Sequence, residues 1–228
     1  MGGGDMGGGD AGGQEPEPRD ESATEATDLA METAQGDGFE ALGSEGTFSV
    51  ASDMDNQGFA DLGGAGTLDM IDTMGEEQFL ELEGDAMAGM FDAMDADQME
   101  SMGASQVFDA ADQMDHGDFA AMDSGNVMDM FDTMGDDAGS LGGDTMAGMF
   151  DAMGADNIDS IGGEALFEMA EGMSGADFMT MGNESAFGMF ETMGNDMVAG
   201  MEGDTMAGMF DAMGADNIAS IGGEDLFD

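Results

Sequence analysis

Carboxylate chemistry is what this chain is equipped for. One acidic column recurs through it at Glu32, Asp72, Asp92, Asp112, Asp132, Asp151, Glu171, Glu191 and Asp211, interrupted by Ser52. Hard cations such as Mg²⁺ and Ca²⁺ take oxygen ligands, and Ca²⁺ wants about six to eight of them at roughly 2.3–2.6 Å. Asp72, Asp92, Asp112, Asp132, Asp151, Glu171, Glu191 and Asp211 are therefore the candidate metal-binding residues, a ladder for weakly held Mg²⁺ or Ca²⁺. Rungs set by helix packing lie ~8–10 Å apart, too far for one ion to bind two neighbours through their side chains alone. No EF-hand or calcium nonapeptide loop accompanies the column. A solvated acidic face is the simpler reading.

Thioethers are the second candidate. The chain has 30 methionines, many spaced like Met99 and Met102 or Met149 and Met153, a pattern that soft Cu(I) could use. The same slots also hold Phe150, Ile158, Leu166 and Val107. A slot that accepts leucine or phenylalanine asks for an apolar filler and not for sulfur, so the methionines are expected to form core. His116, in DQMDHGDFAAM, sits in a turn between Asp115 and Asp118 without partners at ligand spacing. The chain has no Cys, Lys or Tyr, so a catalyst would have to use carboxylates and hydroxyls. Every candidate carboxylate pair recurs in several copies, which marks it as architecture. Phosphate loops place glycines before a helix and need a lysine, whereas the Gly-Gly pairs here follow helices. Catalytic and cofactor-binding residues are accordingly expected to be none, and the protein non-enzymatic.

The elements that must position these residues follow a repeat. Gly143–Phe167 and Gly203–Phe227 differ at two of twenty-five positions. The apolar pattern Met146, Met149, Phe150, Met153, Ile158, Ile161 returns at steps of 20 as Leu166, Met169, Ala170, Met173, Phe178, Met181. Followed in both directions, with one step of 19 near residue 135, it gives ten copies over residues 25–222. Positions 146, 149, 150 and 153 form one apolar helix face. Asp144 is placed to cap that helix, Gly154 to end it in the left-handed conformation, and Asp156 to cap a shorter helix carrying Ile158 and Ile161. Neither helix reaches the ~12–15 residues at which isolated helices become marginal in water. Each must gain stability by stacking on the next copy. The expected fold is all-α: an α-solenoid of ten ~20-residue two-helix repeats. Residues 1–24, with two glycine-rich pentads and both prolines, read as a disordered acidic tail, and residues 223–228 as a partial repeat or cap.

Short alternating helices built from MFDAMGADNIDSI and LFEMAEGMSGADFMTM resemble the cytosolic N-terminal superhelix of the magnesium transporter MgtE. Flagellar motor switch proteins have similar right-handed helical repeats. The resemblance lies in the rhythm of the repeats, and it implies a helical superhelix whose acidic surface responds to divalent cations. The regulatory and membrane domains of that family have no counterpart here, and no functional residue carries over.

Charge bounds the partners. With 53 acidic residues against Arg19 and His116, the formal charge is −52. Nucleic acid and anionic membranes bind through Lys and Arg, so neither is an expected partner. No run of eighteen apolar residues is present, which argues against membrane insertion. Hydrophobic residues nonetheless make up 41% of the chain, too many for a purely solvated tail. Self-repulsion on this scale requires high ionic strength or divalent counterions for folding. The acidity resembles that of proteins from extreme halophiles. The expected function is a non-enzymatic scaffold or interaction protein adapted to high salt, with a protein partner or self-association through the solenoid surface. The alternative is a divalent-cation binding or sensing protein. The expected location is the cytoplasm of a halophile, or outside the cell by a non-standard route.

Overall fold

The computed structural model describes residues 21–36 and 38–221. Among them every regular element is helical. The first half contains α1 (Glu21–Gln35), α2 (Gly43–Asp53), α3 (Asn56–Leu62), α4 (Gly64–Met74), α5 (Glu76–Phe79), α6 (Gly84–Ala93), α7 (Ala96–Met102) and α8 (Ala104–Ala111). The second contains α9 (His116–Ala120), α10 (Ser124–Met134), α11 (Gly143–Ile161), α12 (Gly163–Gly172), α13 (Gly175–Thr180), α14 (Asn183–Val198) and α15 (Gly203–Ile221). Two 3₁₀ turns, Phe39–Ala41 and Gly135–Ser140, stand where short helices would otherwise follow α1 and α10. Residues 21–24, expected in the tail, form the first turn of α1. Residues 1–20 of that tail and the expected partial repeat at 223–228 lie outside the described residues.

Long and short helices alternate because one slot between them breaks the backbone in either of two ways. Asp55, Asp95, Asp115 and Ser174 fill it with extended backbone, at φ −96°, −97°, −98° and −87°. The Asp55, Asp95 and Asp115 carboxylates accept from the first free N–H groups of the short helix, and at Asp95, Asp115 and Ser174 the third residue closes a reciprocal box. Gly75, Gly154, Gly194 and Gly214 fill the same slot at φ 78°, 72°, 74° and 73° with ψ near 165°. That region is open essentially to glycine alone. The left-handed helix end expected at Gly154 is thus replaced by positive φ with extended ψ, because the chain must enter the next helix at once. The caps move with it: Gly142 caps α11 and Asp144 lies in its first turn, where it complements the dipole without capping. Asp156 likewise follows the break at Gly154 and does not form it.

The apolar pattern is the core. Met146, Met149, Phe150 and Met153 are buried, and so are Phe39, Phe59, Phe79, Met99, Phe119, Ile158 and Phe178, the anchors of the short elements. Fully burying one such side chain contributes about 1.5–3 kcal/mol. Most methionines in the described chain are buried among Phe, Leu, Val and Ala, as filler should be. Met179 (67% exposed) and Met197 (37%) stand outside this core.

Packing follows two rules. Successive long helices lie together, α2 on α4, α12 on α14 and α14 on α15. Four short helices also reach past their neighbours: α3 packs on α6, α7 on α10, α9 on α11 and α13 on α15, whereas α5 packs back on α4 and α2. Stacking on the next copy, the expected contact, is therefore half of the arrangement. The long-range side-chain hydrogen bonds fall at the matching separation of 31–34 residues.

Glycines inside the long helices make the second rule work. Gly89, Gly148, Gly188 and Gly208 occupy one position of the repeat, and each faces the start of a short helix. A Cβ on Gly148 would sit 2.9 Å from the His116 Cα, and one on Gly188 2.9 Å from the Ala155 Cβ. One on Gly208 would strike the Gly175 backbone. These helix-interior glycines give up about 1 kcal/mol of propensity each relative to alanine, and in return the backbones touch. Gly208→Ala should lower stability by about 1–3 kcal/mol through overpacking, while Gly125→Ala, which meets nothing within 4 Å, should be neutral or raise it by up to about 1 kcal/mol. Urea unfolding followed by circular dichroism measures both; equal effects would contradict the notch.

Candidate functional site

The acidic column divides in two. Glu32, Asp72, Asp112, Asp132, Glu171, Glu191 and Asp211 are exposed, each one residue beyond a core position. Asp92 and Asp151 are half-buried and are already engaged. Asp92 Oδ1 accepts from the Asp123 N–H at 2.8 Å and from Asn126 Nδ2 at 2.9 Å. Asp151 Oδ1 accepts from the Gly182 N–H at 2.7 Å and from Ser185 Oγ at 3.3 Å. Asp123 and Gly182 precede α10 and α14. Two carboxylates of the column therefore cap, from a distance in sequence, the free N–H groups of a later long helix, where the dipole favours negative charge.

Asparagines complete the join from the other side. Asn157 Nδ2 donates to the Ser124 carbonyl at 3.3 Å, and Asn217 Nδ2 to the Asn183 carbonyl at 3.2 Å. Sequence reasoning overlooked these residues. Their recurrence sixty residues apart in ADNI was the available signal.

His116 opens α9, and its Nε2 lies 3.2 Å from Asp151 Oδ2. Nε2 thus faces the Asp151 carboxylate as a donor, and Nδ1 is buried without a hydrogen-bond partner. The flanking carboxylates point elsewhere: Asp115 Oδ1 accepts from the Gly117 N–H at 2.7 Å, and Asp118 Oδ2 from the Asp115 N–H at 2.8 Å. Asp151 thereby joins three segments, α9, α11 and the start of α14.

Among the described residues no three His, Cys, Asp or Glu side chains converge as a metal site would require. The structure brings Asp151 to His116, sets Asp132 near Asp129, places Asp72 in a groove with Glu40 and Asp69, and ties Asp92 to the start of α10. No described helix is long and apolar enough to cross a membrane. Comparison with protein-family models, with curated proteins and with solved structures finds no match for the chain.

Two carboxyls feel the burial that this packing imposes. Asp129 is raised above its ordinary 3.8, first by desolvation and then by repulsion from Asp132 and Asp95. Asp118 is raised chiefly by burial, against the hydrogen bond it accepts from Asp115.

Replacing Asp151 by alanine removes the acceptor for Gly182, Ser185 and His116 together and should cost about 1–3 kcal/mol. Asp211→Ala, on the exposed part of the column, should stay within about 0.5 kcal/mol. Similar losses for the two in thermal unfolding would deny Asp151 its capping role. For Asp129 the sign is opposite to that of a paired carboxylate. Its folded form holds a proton more tightly than the unfolded form, so ionisation costs stability above the raised value, and the cost vanishes below 3.8, where both forms are protonated. Asp129→Asn should therefore raise Tm at neutral pH and leave it unchanged below 3.8.

Proposed function

We propose that the protein is a non-enzymatic scaffold, an α-solenoid of ten twenty-residue two-helix repeats that engages its partners through an acidic surface in a salt-rich solvent. One observation carries this reading. Long-range side-chain hydrogen bonds recur at one offset of 31–34 residues along the chain, beside the contacts between successive long helices, as they do when a unit that cannot fold alone is stacked repeatedly. The two half-buried carboxylates of the column, Asp92 and Asp151, are engaged in helix capping, which favours architecture over catalysis. The other carboxylates of the column face solvent, which suits hydrated counterions. A chain of this charge needs them to stay compact. The cytoplasm of a halophile is a setting that supplies them, as is a saline exterior.

A second reading, binding of divalent cations, rests on one groove. Glu40, Asp69 and Asp72 line it together with Ser44 and Thr73. Three carboxylates around an open groove favour a hydrated Mg²⁺ or Ca²⁺ held through its water. That is the weak surface response that the likeness to magnesium-transporter repeats implies.

Circular dichroism separates the two. Under the scaffold reading, helicity rises with NaCl towards the molar range, and divalent chloride of equal ionic strength does no better. Full helicity at low millimolar Mg²⁺ or Ca²⁺, unmatched by NaCl, would replace it with the cation-binding reading. Absence of helix under every condition would overturn the solenoid itself.

A further inference from the structure

The scaffold reading leaves open which surface meets a partner, and one of two related grooves answers it. The first, of about 700 Å³, lies between α10, the end of α11 and α12. Met128, Phe131 and Ile161, all half-buried, form its floor, and Asp132, Asp136 and Glu168, all exposed, form its rim. The second, of about 570 Å³, is lined by Phe187, Phe190, Glu191, Asn195 and Ile221. These are the counterparts of Met128, Phe131, Asp132, Asp136 and Ile161, 59 or 60 residues on. The wall behind each is the same aromatic pair, Phe131 with Phe150 at 6.4 Å and Phe190 with Phe210 at 5.9 Å. Neither groove follows from the capping and packing described above. The first opening sets half-buried apolar side chains beside three exposed carboxylates, whereas the described lining of the second has one, Glu191.

The chemistry of the lining selects the occupant. An apolar floor is of no use to a bare cation, and a carboxylate rim repels nucleic acid, anionic lipid and a second copy of a chain charged −52. An occupant must bring positive charge and an apolar face together. In molar salt the Debye length falls to about 3 Å, so charge acts only at contact and apolar burial has to hold the partner. We propose that the first groove seats an amphipathic, lysine- or arginine-bearing helix of a protein partner, apolar face on Phe131 and Ile161, cationic heads on Asp132, Asp136 and Glu168. The chain is then a receptor for a basic amphipathic segment. This inference rests on the scaffold reading.

The chain contains no Trp or Tyr, so the fluorescence of a single tryptophan in a designed peptide reports the peptide alone. The probe is an amphipathic Leu/Lys helix of about 15 residues, compared with a scrambled peptide of identical composition. Both are titrated into the full-length chain at about 0.2 M and about 2 M NaCl, with helicity of the chain recorded in each buffer. The expected result is one equivalent of amphipathic peptide per chain, blue-shifted emission, and binding that survives the higher salt while the scrambled peptide dissociates. Asp132→Asn with Glu168→Gln should weaken binding about 10-fold, a shift of 1.4 kcal/mol, and Ile161→Ser should weaken it at both salt concentrations. A helical chain that binds the two peptides alike, or neither, overturns the groove and leaves the scaffold standing. A chain without helix in both buffers overturns both.

Discussion

Everything in this structure depends on short helices docking onto long ones about one and a half repeats later. α9 has five residues and α13 six, far too few to persist in water on local hydrogen bonding. What stabilises them is burial of a single anchor such as Phe119 or Phe178, together with close approach of the helix start to a later long helix. The glycine at 148 or 208 permits that approach. At α9 the Asp151 carboxylate fastens it, 3.2 Å from His116 Nε2, and Asp92 and Asp151 also tie the starts of the long helices α10 and α14. Remove the docking and neither helix of a repeat has a reason to form.

The same constraint decides where charge can go. A surface with 53 carboxylates and two cationic or potentially cationic side chains cannot rely on ion pairs, and helix N-termini are the alternative source of positive potential. Asp92 and Asp151 use it. Asp129, partly buried beside other carboxylates, shows what happens without it: its ionised form is disfavoured. Cohesion among like charges thus comes from apolar burial and backbone dipoles, with solvent ions left to screen the rest. A core of unbranched methionine suits this arrangement, since flexible side chains fill the unequal gaps left by repeats that vary from copy to copy.

Much of the helix pattern was legible, because 3.6-residue periodicity and a fixed repeat report directly on local geometry. The buried face at Met146, Met149, Phe150 and Met153 could be read residue by residue. The breaks could be located but not typed: Gly154 announces a helix end, yet its ψ depends on where the next helix must point. The acidic column was the least legible feature. As sequence, Asp151 and Asp211 are copies of one position, but one is half-buried against His116, Gly182 and Ser185 and the other faces solvent.

By itself the sequence determined that this chain is helical and that its methionines pack inside, because propensity and periodicity are local quantities. Only the tertiary structure decided which segments meet. Contacts at 31–34 residues leave no trace at a period of twenty, since they join unlike positions of different repeats. That is why a mid-helix glycine turned out to be a docking notch, a surface aspartate a cap for a distant helix, and a gap between repeats a groove with an apolar floor.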